Sequence, residues 1–407
     1  MKKIFSVIIA VMMLAAIALI SASCGESSDT LKPVSKADIK IGIITLHDTS
    51  STYDKNFIDS IYRAAANLGL SENQVLLLTG IDETSACYDA AKSLVKQGCN
   101  VVFADSFGHE DYMIQAAQEF TGVHFAHATG TKAHSVNLDN FANAFASIYE
   151  GRYLAGIAAG MKLNEMIESG KITAEQAVMG YVGAFTYAEV MSGYTSFYLG
   201  AKSVCPSVTM KVRFTGSWYN TELEYSAAKA LINEGCVLLS QHADSYGAPN
   251  ACEEAGVPNI SYNGSTQAQG PNTYIIASKI DWTPYFEYMI NTVIAGEKLA
   301  NDWTGTMSTG SVKIESLSPV AAAGTQEKID SAVAGFNAGT LHVFDTSTFT
   351  VGGETLTSYK ADVDSDADMV HETEVVSNGY FHESEYRSAP YFDVEIDGIT
   401  LLDRNYG

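Results

Sequence analysis

The chain has 407 residues, 46% of them hydrophobic and 17% charged, and a formal net charge of −23. That length exceeds what one hydrophobic core fills, so two lobes or domains are expected. The acidic balance excludes nucleic acid as a partner, because phosphate neutralisation needs Lys and Arg, and it disfavours electrostatic docking onto anionic lipid.

The chain opens with Lys2-Lys3, an apolar run from Ile4 to Ile20, and Ser21-Ala22-Ser23-Cys24. A basic start, an apolar stretch and small residues predict a secretory signal over residues 1–23. Cys24 directly after the small residues resembles a bacterial lipobox, with Ser21 where Leu is usual. This reading expects cleavage before Cys24, lipid on its thiol, and a protein anchored to the extracytoplasmic face of the cell membrane. Residues 24–37, rich in Ser and polar groups, read as a flexible tether. The remaining cysteines, Cys87, Cys99, Cys205, Cys236 and Cys252, show no CxxC spacing. They read as small buried apolar residues, with any disulfide left open.

Past the tether, Ile39 to Thr45 is a β-branched run suited to a strand buried on both faces. A polar loop, His47 to Asn56, is expected next, then a helix from Phe57 to Leu68. Strands at Val75 to Leu78, Val101 to Ala104 and Val123 to His127 alternate with helices at Tyr88 to Lys96 and Tyr112 to Phe120. This alternation predicts a parallel, doubly wound sheet. Phe141 to Met161 reads as one long helix, whose Gly156-x-x-x-Gly160 suits close helix packing. Lys162 to Gln176 reads as a polar insertion.

From Met179 to Asp244 the pattern is delivered twice more: strand, aromatic or acidic loop, helix. Further expectations are a strand at Thr273 to Ser278, a helix at Pro284 to Ala295, an edge strand within Gly310 to Leu317 and a last helix from Glu327 to Ala338. An internal repeat links the halves. Tyr88-x-Ala90-Ala91-Lys92-x-Leu94-x-x-x-Gly98-Cys99 recurs as Tyr225-x-Ala227-Ala228-Lys229-x-Leu231-x-x-x-Gly235-Cys236. Each copy precedes an apolar strand and then an acidic turn, Asp105-Ser106 or Asp244-Ser245. Two similar lobes follow: residues 38–138 with 270–344, and residues 139–269.

Residues 345–407 carry fourteen Asp or Glu against three Lys or Arg. Short alternating segments such as Tyr391 to Ile396 predict a β-rich extension. Asp362-x-Asp364-x-Asp366-x-Asp368 lacks the Gly and twelfth-position Glu of a calcium loop, so a solvated acidic loop is expected and no metal.

No GxGxxG, Walker loop, GxSxG elbow or HExxH occurs, so neither a cofactor nor catalysis is expected. The candidate site residues are aromatic, carboxylate and amide groups near strand ends: Tyr53, Asp54, Phe107, Asn137, Glu189, Trp218, Asp244 and Trp282. Aromatic faces stack on flat heterocycles or sugars, and carboxylates and amides read donors and acceptors on a ligand's edge.

Several segments resemble the basic membrane protein family of ABC-transporter substrate-binding lipoproteins. They are Gly151 to Gly156, Gly180 to Phe185 with Glu189-Val190, Leu199-Gly200-Ala201, Gly216-Ser217-Trp218, Gln241-His242-Ala243-Asp244-Ser245 and Asp281-Trp282. The resemblance covers roughly residues 39–344. It implies the type I periplasmic-binding-protein fold, an α/β arrangement of two Rossmann-like lobes joined by crossover segments. It also implies a purine-like ligand clamped between the lobes and an ABC permease as partner. Ser106-Phe107-Gly108, Glu189, Trp218, Asp244 and Trp282 match a branch similar to adenine-binding members. Asp54-Lys55-Asn56-Phe57-Ile58 departs from the nucleoside branch, which has Asn where Ile58 stands, and this favours a nucleobase. The alternative is a surface sensor or interaction lipoprotein that binds a small ligand for signalling.

Overall fold

The computed structural model describes residues 30–404 apart from Ala367 and Met369. The expected signal segment and Cys24 lie outside the described residues. In chain order the first elements are β1 (Ile41–Ile44), α1 (Thr52–Asn67), β2 (Val75–Leu78), α2 (Ser85–Lys96), β3 (Val101–Ala104), α3 (Glu110–Glu119), β4 (His124–Ala128) and β5 (Phe141–Ala146). Next come α4 (Ile148–Glu168), β6 (Val178–Gly183), α5 (Ala188–Val204), β7 (Thr209–Phe214), α6 (Thr221–Asn233), β8 (Leu238–His242), α7 (Gly247–Ala255), β9 (Asn259–Tyr262) and β10 (Tyr274–Ile280). The chain continues through α8 (Thr283–Ala295), β11 (Asp302–Gly305), β12 (Val312–Ile314) and α9 (Thr325–Asn337), and reaches a last strand, β13 (Ile399–Leu401).

One sheet has the order β11-β5-β4-β3-β1-β2 and the other β12-β10-β9-β8-β6-β7-β13. All pairings in both are parallel except β10 with β12. The orders β5-β4-β3-β1-β2 and β10-β9-β8-β6-β7 are the same path drawn twice, one sheet to each lobe. The repeat in sequence is therefore a repeat in space. In lobe 1 Tyr88 and Lys92 of α2 both bond Glu119, Lys92 at 2.8 Å; in lobe 2 Tyr225 and Lys229 of α6 both bond Glu254, Lys229 at 3.0 Å. Both helices end on a glycine in the left-handed region, Gly98 at φ +88° and Gly235 at φ +89°. An L side chain at that φ is strained, which accounts for Gly there in both copies.

Phe141 to Ala146 is strand, not the start of a helix. Its alternating Phe141, Asn143 and Phe145 are compatible with either period, and parallel pairing with β4 and β11 decides the outcome. The strand belongs to lobe 1, so residues 139–146 move out of lobe 2. Conversely β10, within the 270–344 segment read as lobe 1, pairs with β9 in the lobe 2 sheet. Helix α1 also begins earlier than the expected loop allows. The Ser51 hydroxyl accepts from Asp54 N–H at 3.2 Å, a cap that places Tyr53 and Asp54 in the first turn. Residues 162–168, read as a polar insertion, are the last turns of α4.

The chain passes between lobes three times, at Ser147, at Asp281 and between β11 and β12. Backbone bonds tie these crossings: Ser147 N–H donates to Gly305 O at 2.8 Å and Asp281 N–H to Ser311 O at 2.7 Å. Asp281 also binds Arg63 at 3.0 Å and pairs with Lys313, and although burial opposes ionisation Lys313 and the Thr283 hydrogen bonds hold its pKa down to about 2. The acidic tail is folded against lobe 2, where Phe344, Phe349, Phe381, Tyr391 and Phe392 join the core. The expected β-rich extension holds, among the described residues, only short strands there, Lys360–Ala361 with Thr373–Glu374 and Val376–Ser377 with Tyr380–Phe381, and Tyr391 to Ile396 is not strand. The five cysteines from Cys87 onward are buried and free.

Helices α4 and α5 cross at small residues, as the Gly156-x-x-x-Gly160 spacing implied. A Cβ at Gly200 would lie 2.0 Å from Tyr153 O, and one at Gly156 would lie 2.0 Å from Phe197 O. Neither neighbour is a side chain that can turn away, so the helices would have to separate. Gly200→Ala should cost about 3 kcal/mol and lower the melting temperature by several degrees, on the order expected for core overpacking. An unchanged melting temperature would refute this account of the crossing.

Candidate ligand-binding site

The carboxyl ends of the parallel strands in both sheets face one cleft, the position where open α/β sheets bind ligands. From lobe 1 it is lined by Leu46 and His47 after β1, Tyr53 and Asp54 on α1, Ser106 and Phe107 after β3, and Thr129 after β4. Lobe 2 contributes Glu189 at the start of α5, Trp218 after β7, His242 and Asp244 at the end of β8, and Tyr262 at the end of β9. The enclosed space, including its open mouth, is about 380 Å³. The lobes are in contact across it. Thr52 N–H donates to Asp244 O at 3.3 Å, Asn56 donates to Asn263 O at 2.8 Å, and Phe107 stacks on Tyr187 at 5.2 Å.

Six of the eight sequence-predicted residues meet here: Tyr53, Asp54, Phe107, Glu189, Trp218 and Asp244. Trp282 does not line the cleft. It is 1% exposed and stacks on Phe57 at 4.3 Å, bracing α1 from beneath. Asn137 is exposed in the turn before β5, at φ +52°, with its amide turned to Ser135 O at 3.4 Å. It does not line the cleft either. Ile58, the departure in the α1 segment, is buried and does not line the pocket. His47, Thr129, His242 and Tyr262 were not among the candidates. Tyr262 was findable in principle, since it is an aromatic closing a predicted-type strand, but the strand Asn259–Tyr262 is short and ambiguous.

The acids fall into two groups. Asp54 is satisfied: it accepts from His47 N–H at 2.7 Å and from the Ser51 hydroxyl at 2.5 Å, with His47 Nδ1 at 3.5 Å. Burial opposes its ionisation, but these bonds outweigh it and hold the pKa below the usual value. Asp105, just behind, accepts from Leu46 N–H at 3.1 Å, and burial together with the Asp54 carboxyl pushes its pKa well above the carboxylate range. Asp244 differs. Burial, then the charges of Asp54, Glu224 and Glu189, push its pKa well up, and no neighbouring group that lines the pocket donates to its carboxyl. Tyr262 likewise has a buried hydroxyl without a partner. Among the described residues no Lys or Arg lines the pocket. Such a site offers aromatic faces and acceptors, and it disfavours anions.

Two matching parallel α/β sheets with a pocket between them make the type I periplasmic-binding-protein fold. Residues 41–337 match the family described as "ABC transporter substrate-binding protein PnrA-like", and the chain belongs to that family. It is 32% identical over 242 residues to a purine-binding protein of Brucella abortus, covering 59% of this chain and 65% of that one. It is 34% identical over 220 residues to a protein of Haloferax volcanii named as an ABC transporter glucose-binding protein, covering 54% of this chain and 52% of that one. The chain thus spans between half and two thirds of the length of these relatives. A solved ABC transporter solute-binding protein of Conexibacter woesei superposes with a TM-score of 0.58 at 18% identity, over 75% of this chain and 98% of that one.

The buried titratable groups set a pH dependence. Asp105 and Asp244 have pKa values well above the usual range, and burial raises Glu150, Glu224 and Glu383 each to about 7. The folded state therefore holds protons that the unfolded chain has lost, and stability falls as pH rises toward these values. Burial lowers His109 and His124 to about 4, and lowers His127 and His242, so these four act in the opposite sense. Their contribution is part-way developed at about pH 6.5, the unfolded histidine value, and nearly complete by about pH 7.5. The expected outcome is a melting temperature that declines from about pH 7.5 to 8.5, where the raised acids act with little opposition from the histidines. Asp105→Asn keeps an acceptor for Leu46 N–H and removes one such acid, so the decline should become shallower. A melting temperature that rises over this range would contradict the assignment.

Proposed function

We propose that this protein is the lipid-anchored receptor of an ABC importer, capturing a purine-like molecule between its lobes and presenting it to a membrane permease. The observation that carries the ligand class is Asp244, a buried carboxyl facing aromatic walls with no protein donor. Leaving such a group unpaired is costly, so its natural partner is a ligand N–H. Phe107, Trp218 and Tyr53 supply flat faces, and Asp244 and Glu189 accept from ring N–H or amino groups. The match to a purine-binding relative supports the same class. Contacts between the lobes already crowd the cleft, which favours a free base over a nucleoside. Cys24 would carry the anchor, holding the receptor at the outer face of the membrane.

Calorimetry with adenine, guanine, hypoxanthine and their nucleosides tests the ligand class. Binding of at least one base is expected, and absence of heat with all of them would sink the purine reading. Asp244→Ala should weaken that binding by about 1 to 3 kcal/mol, the range for leaving a buried hydrogen-bonding group of the ligand unpaired. The anchor is checked separately. The protein made in a bacterial host should partition into detergent and Cys24→Ala should move it to the aqueous phase. Equal partitioning of the two would remove the anchor from the proposal.

A further inference from the structure

His242 closes β8 and is 2% exposed. One face of its ring lies 4.1 Å from the Tyr262 ring. Its Nε2 is 3.4 Å from Glu189 Oε1. Its Nδ1 has no hydrogen-bond partner and is turned to Gly193 of α5, where a Cβ would lie only 2.4 Å away. A proton on Nδ1 would thus be buried without an acceptor, whereas one on Nε2 meets the Glu189 carboxyl. The hydrogen-bond network selects the Nε2–H tautomer.

The groups packed around this ring act in the same direction. Arg152 of α4, 0% exposed, sits with its guanidinium 5.4 Å from the Tyr262 ring, the ring that also contacts the imidazole. It donates to the Ser240 hydroxyl at 2.7 Å and the Tyr181 hydroxyl at 3.2 Å. None of its hydrogen bonds goes to a carboxylate. A buried cation there disfavours a second positive charge on His242, and burial of the ring adds to this; Glu189 is the acid that acts the other way.

We infer that His242 is a positioning residue: its Nε2–H fixes Glu189 as an acceptor at the ligand's edge, so the site selects amino-bearing purines over unsubstituted purine. This deepens the purine reading and rests on it. Adenine carries an amino group for Glu189 that purine lacks, so the two bases separate a positioning role from a scaffolding one.

The test pairs ligand discrimination with a ring readout. Nitrogen-15 NMR of histidine-labelled protein, with the His242 signal assigned by its loss in His242→Gln, should show a neutral Nε2–H ring at about pH 7.5 that titrates below the unperturbed value of about 6.5. His242→Phe should weaken adenine by about tenfold while changing purine by less than about threefold, the loss expected for one charged hydrogen bond. His242→Gln, which returns an N–H near the Nε2 position, should recover most of the adenine preference. An Nδ1–H tautomer, a ring titrating near its ordinary pKa, or equal losses for both bases overturns the inference. If the wild-type protein binds neither base, the purine reading fails, and the tautomer alone decides whether His242 holds Glu189.

Discussion

Carboxyl groups converge where both sheets end their strands, and among the described residues no lysine or arginine lines the pocket with them. Burying acids in this way is unfavourable unless each finds a donor or keeps its proton. The local structure of lobe 1 follows from that demand. Ser51 caps α1 and also donates to Asp54, His47 bends back to Asp54 through both backbone and ring, and Leu46 N–H turns to Asp105. The loop after β1 is shaped by the acids it serves. Glu83 plays the reciprocal part beside β3, accepting from Ser106 Oγ at 2.6 Å and Gly108 N–H at 2.7 Å, which holds Phe107 out over the cleft.

The duplicated lobes show which acids are structural and which are kept open. Asp105 and Asp244 follow equivalent strands, β3 and β8, on the repeated path. In lobe 1 one Asp105 oxygen accepts from Leu46 N–H at 3.1 Å and the other is buried without a partner. In lobe 2 the donors are spent elsewhere: Ser245 N–H and Asn220 N–H go to Glu224, leaving Asp244 with its carboxyl toward the cleft. The two copies thus differ in how these acids are served, Asp105 by one backbone N–H and Asp244 by no donor to its carboxyl among the residues lining the pocket. The divergence is electrostatic and leaves the strand path unchanged.

The fold was legible wherever a short apolar run and a turn signal agreed. The strands at β1, β2, β3 and β12 and the repeated helices α2 and α6 fall close to where the sequence places them. Phe141 to Ala146 failed because its composition suits two periods and only its neighbours β4 and β11 resolve the choice. The loop before α1 failed by one residue's chemistry, the Ser51 cap. Among site residues, Asp244, Trp218, Phe107 and Glu189 were visible because they stand at strand ends beside polar or small neighbours. Trp282 looked the same in sequence, after Asp281 at a strand end. It turns inward because α1 lays Phe57 over it, a long-range packing fact with no local signal. Asn137 was named for its amide, but its positive φ gives a turn that points it to solvent. Tyr262 and His242 act through one another and through Arg152, more than a hundred residues earlier in the chain for Tyr262, so no local window contains the group.

Closure and recognition share a residue. Thr52 N–H is an unpaired donor of the first turn of α1, and it is satisfied across the cleft by the backbone carbonyl of Asp244. The Thr52 hydroxyl points to the same oxygen at 3.4 Å. Asp244 therefore offers its carbonyl to lobe 1 and its carboxyl to the space between the lobes. When the lobes separate, the helix N-terminus loses its partner to water, and the carboxyl regains solvent at the same moment. When they close on a ligand without a donor, the carbonyl bond forms but the carboxyl is buried unpaired, and the two terms oppose each other. Only a donor-bearing ligand makes both favourable together. A ligand can shift a conformational equilibrium only by its differential interaction with the two states. Under the function proposed above, that difference would reside chiefly in the Asp244 carboxyl, the residue whose carbonyl also joins the lobes.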